Sequence, residues 1–333
     1  MSKITKKCVI EMEAPENLLY LSRRTLESLT VTTADVIESI EHLLRGRRQS
    51  QVWNAPKAVI TPPDGRYMMA TLSATDDPPF LAVKSLVLNP RNREQGLPDI
   101  NSLVTLLDSN TGLPLAVIDG NWITAVRTAG LSAVAARRLA KSDASIAAFI
   151  GCGIQARSHL QAFATLFPLK EIRVFGRGSV NREALCQAAE KLGLSAVASR
   201  SAQEAVSDAD LVISTVTLSP ELVPFLDARW LKPGVFATAV DLATSWVKDS
   251  LPAFDRIVID DLEQEAQMPT PLVDPELVKG DLTGLVNGDI AGRCSDEEKT
   301  AFIFRGLALG DLALAALAYQ RACLSSKGVE IER

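Results

Sequence analysis

The sequence predicts an α/β protein: a doubly wound parallel sheet inserted into a second, α+β domain that carries an antiparallel sheet. Three observations predict it. Short apolar runs alternate with helical stretches between residues 146 and 260, as strands and crossovers of a parallel sheet do. The residues before that region read instead as strands joined by tight turns. The chain then ends in an apolar segment, 302–321, which reads as one long helix that must be buried and is expected to return to the first domain.

In chain order, Leu18-Leu19-Tyr20-Leu21 is a short apolar segment and 33–47 a helix. Strand-like segments follow at 58–61, 67–73, 80–88, 102–108 and 114–119, with hairpin turns at Asp64-Gly65 and at 108–112, which makes an antiparallel meander. An alanine-rich helix is expected from about residue 125 to about 140. The second region has six expected strands, at 146–150, 171–175, 195–199, 210–215, 235–240 and 256–260, with helices at 181–192 and 202–209 among them.

The first of these strands stops at Gly151-Cys152-Gly153 and restarts as a helix. A strand, a glycine turn and a helix N-terminus together form a Rossmann-type corner, where unpaired amides and the helix dipole favour a dinucleotide pyrophosphate. Gly151 allows the turn, Gly153 lets phosphate approach the backbone, and Ala156 takes the third small position. Ile154 and Gln155 open the helix, and Thr128, Thr215 and Val216 are further expected cofactor contacts. An acidic residue after the second strand would hold a ribose hydroxyl and repel a 2′-phosphate. This chain has Gly176-Arg177-Gly178-Ser179 there, with Asn181 and Arg182 following and no carboxylate before Glu183. NADPH is therefore expected over NADH, with NAD(H) as the alternative.

Composition narrows the classes. The 333 residues, 47% hydrophobic and 23% charged, suit a soluble globular protein with two cores. A net charge of −5 without a basic block argues against nucleic acid. No apolar run approaches the roughly 20 residues of a membrane span, and the basic start lacks the apolar stretch of a signal peptide, so a cytoplasmic protein is expected. The five cysteines have neither metal-ligand nor disulfide spacing, and Cys152 is expected to fill a small apolar slot. With only His42 and His159, a histidine-rich metal site is excluded and no metal is expected. His159 is expected to pack its helix.

Five segments, AVKSLVLNPRN (82–92), LLDSNTGLPLAVIDGNWITAVRTAG (106–130), FIGCGIQARSHLQAF (149–163), AVDL (239–242) and 284–315, resemble the ornithine cyclodeaminase/mu-crystallin family over essentially the whole chain. The run Gln155-Ala156-x-Ser158-His159 is closer to mu-crystallin than to the cyclodeaminases. The resemblance implies a substrate-binding and dimerisation domain of residues 1–128 plus 305–333, and an inserted NAD(P)-binding domain of residues 129–304. It also implies a homodimer joined through antiparallel sheets, and hydride transfer between a nicotinamide and the α-carbon of a small amino or imino acid.

The residues that match carry roles over. Arg127 matches the family's carboxylate-binding arginine, a planar fork suited to that group. Lys84 matches the active-site lysine, and Asp241 the aspartate that handles the proton on the substrate nitrogen. Lys57 stands where the family has an arginine, and a point charge in place of a fork counts against ornithine-type cyclodeamination. Met69 falls in the pocket-lining region of relatives, and Asn89 and Asn92 match a loop beside the lysine. The function expected is an NADPH-dependent reductase of a small imino acid, such as pyrroline-2-carboxylate or piperideine-2-carboxylate. The alternatives are an NAD-dependent cyclodeaminase or amino-acid dehydrogenase, and a non-catalytic NADPH-binding protein.

Overall fold

A computed structural model describes residues 17–219 and 221–333. The chain opens with β1 (Asn17–Leu21), α1 (Arg23–Ser28) and α2 (Thr33–Arg48), then β2 (Val52–Asn54), β3 (Ala58–Ile60), β4 (Tyr67–Asp76), β5 (Pro79–Leu88), β6 (Ile100–Asp108) and β7 (Pro114–Asp119). Next come α3 (Gly120–Leu139), β8 (Ile146–Ile150), α4 (Ile154–Leu166), β9 (Glu171–Phe175), α5 (Ser179–Lys191), β10 (Ser195–Ala198), α6 (Ala202–Val206), β11 (Leu211–Ser214) and β12 (Phe236–Ala239). The last elements are β13 (Arg256–Ile259), α7 (Leu262–Ala266), β14 (Val278–Asp281), α8 (Leu282–Asn287), β15 (Thr300–Ile303), α9 (Ala308–Ser325) and β16 (Val329–Glu332).

The first sheet runs β16-β1-β7-β6-β5-β4-β2, with β3 also on β4. Its centre, β4 to β7, is the expected antiparallel meander, whereas β1 joins β7 in parallel. At the β6–β7 turn the Asp108 carboxylate accepts the amides of Asn110 and Thr111. Helix α2 starts in a capping box, with Thr32 and Asp35 each accepting the other's amide. Helix α3 begins five residues before the expected start, because Asp119 at the end of β7 caps it directly through the Trp122 amide.

The second sheet is parallel throughout, in the order β10-β9-β8-β11-β12-β15-β13-β14. It holds eight strands where six were expected; β14 and β15 are the additions. The terminal helix is corrected too. Thr300–Ile303 is a strand between β12 and β13, Gly306 turns the chain at φ +91, and the helix starts only at Ala308. A strand covered on both faces has no alternating pattern, so its apolar run merges with the helix that follows. Helix α6 is also shorter than expected, ending at Val206.

Helix α9 returns to the first sheet and packs against α2, α3 and the inner face of β4 to β6. The Ser73 hydroxyl on β4 donates to the Ala308 carbonyl at 3.1 Å, which fixes the first turn of α9 against the strand. One apolar cluster runs from Leu21 and Ile40 through Leu131 and Leu312 to Phe149 and Phe302, so both sheets share it. No helix among the described residues is long and apolar enough to cross a membrane.

Candidate active site

The glycine corner joins the carboxyl ends of β8, β9 and β11. Gly151 has φ +92, and its amide donates to the Phe175 carbonyl at 2.8 Å. A Cβ on it would lie 2.7 Å from the Thr215 carbonyl oxygen, so the turn admits glycine only. Gly153 caps α4 without a side-chain acceptor, and its missing Cβ points into open space. The amides of Ile154, Gln155 and Ala156 thus begin a helix with no side-chain cap, a setting suited to phosphate. Ala156 is fully buried, and Cys152 packs under Gly176, its thiol pushed up to about 11 by burial, as a small filler.

The Thr215 hydroxyl donates to the Gly151 carbonyl, and the Thr128 hydroxyl to Thr124 within its own helix. Gln155 donates to the Thr124 carbonyl at 3.4 Å, while its buried Oε1 has no partner. An orphan acceptor, an uncapped helix and an open glycine together fit a dinucleotide. After β9, helix α5 also starts without a side-chain cap; Arg177, Ser179 and Asn181 are exposed there, and Arg182 donates to the Gly176 carbonyl.

The cations gather on the inner face of the first sheet. Lys84 lies mid-strand opposite Thr71, only 1% exposed, and its Nζ is 2.8 and 2.7 Å from the two oxygens of Asp311 on α9. The Arg127 Nε is 3.0 Å from Asp311 Oδ1 as an ion pair, but neither Nε nor the buried Nη1 has a hydrogen-bond partner. Gly306 gives that guanidinium room, since a Cβ there would lie 2.6 Å from Nη1. Lys57 donates to the Arg305 carbonyl at 2.9 Å, and the Asp260 carboxylate accepts the amides of Gly306 and Arg305.

Burial brings Lys84 and Lys57 down to about 8, against the pull of Asp311 and Asp260 respectively. Burial likewise lifts Asp260 to about 6, against Lys57. Asp311 is buried as deeply, yet Lys84 and Arg127 hold it below the ordinary carboxylate range. Met69, two residues before Thr71 on the same face of β4, is partly buried and takes the Tyr67 hydroxyl on its sulfur at 3.6 Å. Asn89 and Asn92 build their own loop, through the Arg91 amide and the Pro98 carbonyl.

Asp241 lies just past the carboxyl end of β12. The Ser214 hydroxyl donates to its Oδ1 at 3.0 Å; the Ser245 hydroxyl and the Val216 amide donate to Oδ2 at 2.6 and 3.3 Å. Burial raises it, with those donors opposing. The next two residues, Leu242 and Ala243, have φ of +57 and +55, a costly left-handed pair of the kind found near functional sites. Among the described residues its hydrogen bonds reach none of Lys57, Lys84 and Arg127.

His159 is wholly buried. Nδ1 donates to the Gln155 carbonyl, so Nε2 accepts from Ser132, whose oxygen is 2.9 Å from that of Thr238. Burial lowers the imidazole to about 4, so it is a neutral tie between α3, α4 and β12, as the sequence suggested.

Asp311, Asp260 and Thr71 escaped the sequence reading. The available signal was Asp311 itself, a lone carboxylate in the apolar run LALGDLALAAL, which has to be paired if it is buried.

The model of the ornithine cyclodeaminase/mu-crystallin family matches residues 16–326. The chain is 30% identical over 266 residues to the Delta(1)-pyrroline-2-carboxylate reductase of Bacillus cereus, covering 76% of this chain and 80% of that one. It is similar to the Thermococcus litoralis Delta(1)-pyrroline-2-carboxylate reductase solved with NADH and L-proline, with TM-score 0.88, 28% identity and coverage of 94% and 100%. An archaeal alanine dehydrogenase dimer with bound NAD follows, at TM-score 0.84 and 27% identity, covering 95% of this chain and 99% of that one. With the corner, the buried cations and a match along nearly its full length, the chain belongs to the ornithine cyclodeaminase/mu-crystallin family.

Proposed function

We propose that the protein is an NADPH-dependent reductase of a small imino acid, a cyclic ketimine such as pyrroline-2-carboxylate or piperideine-2-carboxylate. The observation that carries this reading is a charge imbalance. Among the described residues, Lys57, Lys84 and Arg127 face two carboxylates, Asp260 and Asp311, and Arg127 keeps a buried N–H group without an acceptor. A substrate carboxylate supplies both the missing charge and the missing acceptor.

Helix α3 connects this clamp to the coenzyme corner. Arg127 and Thr128 lie one turn after Thr124, whose carbonyl holds Gln155 of α4. Gly151, Gly153 and the first amides of α4 would hold the pyrophosphate, and Arg177, Ser179, Asn181 and Arg182 the adenosine end, where no carboxylate opposes a 2′-phosphate. A coenzyme held there would supply the hydride that the C=N carbon requires. Arg127 and Lys57 hold the carboxylate, and Lys84, with its proton affinity lowered to about 8, is protonated near neutral pH yet ready to give its proton to the imine nitrogen. Asp241, held by Ser214, Ser245 and the Val216 amide, is the second group for the proton on the substrate nitrogen.

The relatives solved with NADH and NAD favour NAD(H) as the second coenzyme reading. A homodimer belongs to the proposal as well. On the outer face of the first sheet, Leu72, Val87 and Leu103 are 42%, 36% and 48% exposed, with Ile60 beside them at 66%, a surface suited to a second copy. The deciding assay follows absorbance at 340 nm with pyrroline-2-carboxylate and piperideine-2-carboxylate, supplying NADPH and NADH in parallel. Turnover faster with NADPH is expected. Ammonia release from ornithine without net coenzyme consumption would overturn the reductase reading.

A further inference from the structure

We infer that Asp311 is the positioning residue that sets the aim of Lys84 and Arg127 and keeps the proton on Lys84. The inference rests on the proposed roles of those two cations. Asp311 stands in the first turn of α9, where the helix dipole favours a negative charge, and it is 1% exposed. Its carboxylate is shared: Oδ1 lies 2.8 Å from Lys84 Nζ and 3.0 Å from Arg127 Nε, while Oδ2 lies 2.7 Å from Nζ and 3.3 Å from the Thr71 hydroxyl. One anion therefore fixes a lysine from β5 and an arginine from α3 in a single arrangement.

That arrangement leaves Arg127 Nη1 without an acceptor, as a clamp for an incoming carboxylate requires. The groups that bear on Lys84 are Asp311 from α9, Arg127 from α3 and Lys57 from the segment before β3. Two of the three are cations and only Asp311 is an anion, so Asp311 is what keeps a proton on a lysine buried this deeply. Its own place is set by β4, where Thr71 holds the carboxylate and Ser73 holds the Ala308 carbonyl one turn earlier. Asp311 itself has no role in the hydride or proton step; it acts through Lys84 and Arg127.

The test uses Asp311→Asn, which keeps size and polarity but removes the charge, in the coenzyme-loaded enzyme. Two curves are measured against pH: kcat/KM on the imine, and calorimetric binding of pyrrole-2-carboxylate as an unreactive carboxylate probe. Protonated Lys84 is needed, so both curves fall as pH rises through its pKa. Asp311→Asn is expected to move that fall to lower pH by about one unit and to cut kcat by about 100-fold. Asp311→Glu, which restores the charge slightly displaced, should return the pH limb while kcat stays low. A purely structural role would lower the melting temperature and leave the pH limb in place; that result overturns the inference.

Should Asp311→Asn not fold, Thr71→Val takes its place. A three- to tenfold loss of kcat/KM at unchanged thermal stability is then expected, of the order of one lost hydrogen bond. Wild-type kcat/KM in that variant overturns the inference. Wild-type protein that binds the probe but reduces no imine sinks the reaction reading alone, and Asp311 is then judged on the binding curves. Wild-type protein that binds no probe overturns both.

Discussion

Among single residues, Lys84 shows how far the local pattern leads. A lysine in the alternating run AVKSLVL reads as a strand residue, and an outward, solvated side chain fits that run as well as an inward one. Its 1% exposure follows from lying opposite Thr71 beneath α9, where it meets Asp311, a residue 227 positions further along the chain. Lys84→Met is expected to lower kcat by about 100-fold or more, the usual weight of a positioned proton donor. In the wild type, kcat/KM should decline as pH rises through about 8, where the lysine loses its proton. A rate that stays level from pH 7 to 10 would remove Lys84 from the proton step. Arg177 poses a separate question at the same scale. Exposed beside the uncapped start of α5, it is the group placed to favour a 2′-phosphate. Arg177→Asp should turn the preference from NADPH to NADH, and an unchanged ratio of the two rates would refute its assignment.

The two glycines of the corner divide labour at the level of the element. Gly151 is demanded by the turn itself, at φ +92 and against the Thr215 carbonyl, so alanine there strains the fold. Gly153 has extended backbone and nothing within 4 Å of an added Cβ, so alanine is tolerated by the protein and met only by the coenzyme. Gly153→Ala is therefore expected to keep its melting temperature within about 2 °C while coenzyme affinity drops at least tenfold; Gly151→Ala should lose stability as well. Equal coenzyme affinity in Gly153→Ala and wild type would show that the pyrophosphate does not approach there. Both glycines are readable from spacing because a strand, a turn and a helix follow one another within about a dozen residues. The strand β15 is not, since burial on both faces erases its alternation, and its neighbours β12 and β13 come from distant parts of the chain.

For the whole molecule, the outer face of the first sheet is the feature to test. Charge placed at Leu103, as Leu103→Glu, should turn the proposed dimer into a monomer in sedimentation, since such an interface would tolerate no unpaired buried charge. A wild type that sediments as a monomer at micromolar concentration would dispose of the dimer. The inner face of the same sheet carries Lys84 and receives α9, so the chain's last long helix completes a site begun more than two hundred residues earlier.

Motifs whose parts lie close together in the chain are legible in the sequence by itself: the glycine corner, the absent carboxylate after β9, the hairpin turns, and the clamp residues marked by family resemblance. The counter-ions are not. Asp311 acquires meaning only when α9 folds back over β4, β5 and α3, and Asp260 only when the end of β13 meets the turn before α9, because a carboxylate's partner is set by distance in space rather than along the chain. The same holds for charge state: whether Lys84 is a solvated surface lysine or a buried one brought down to about 8 depends on water being excluded around it, and only packing excludes water.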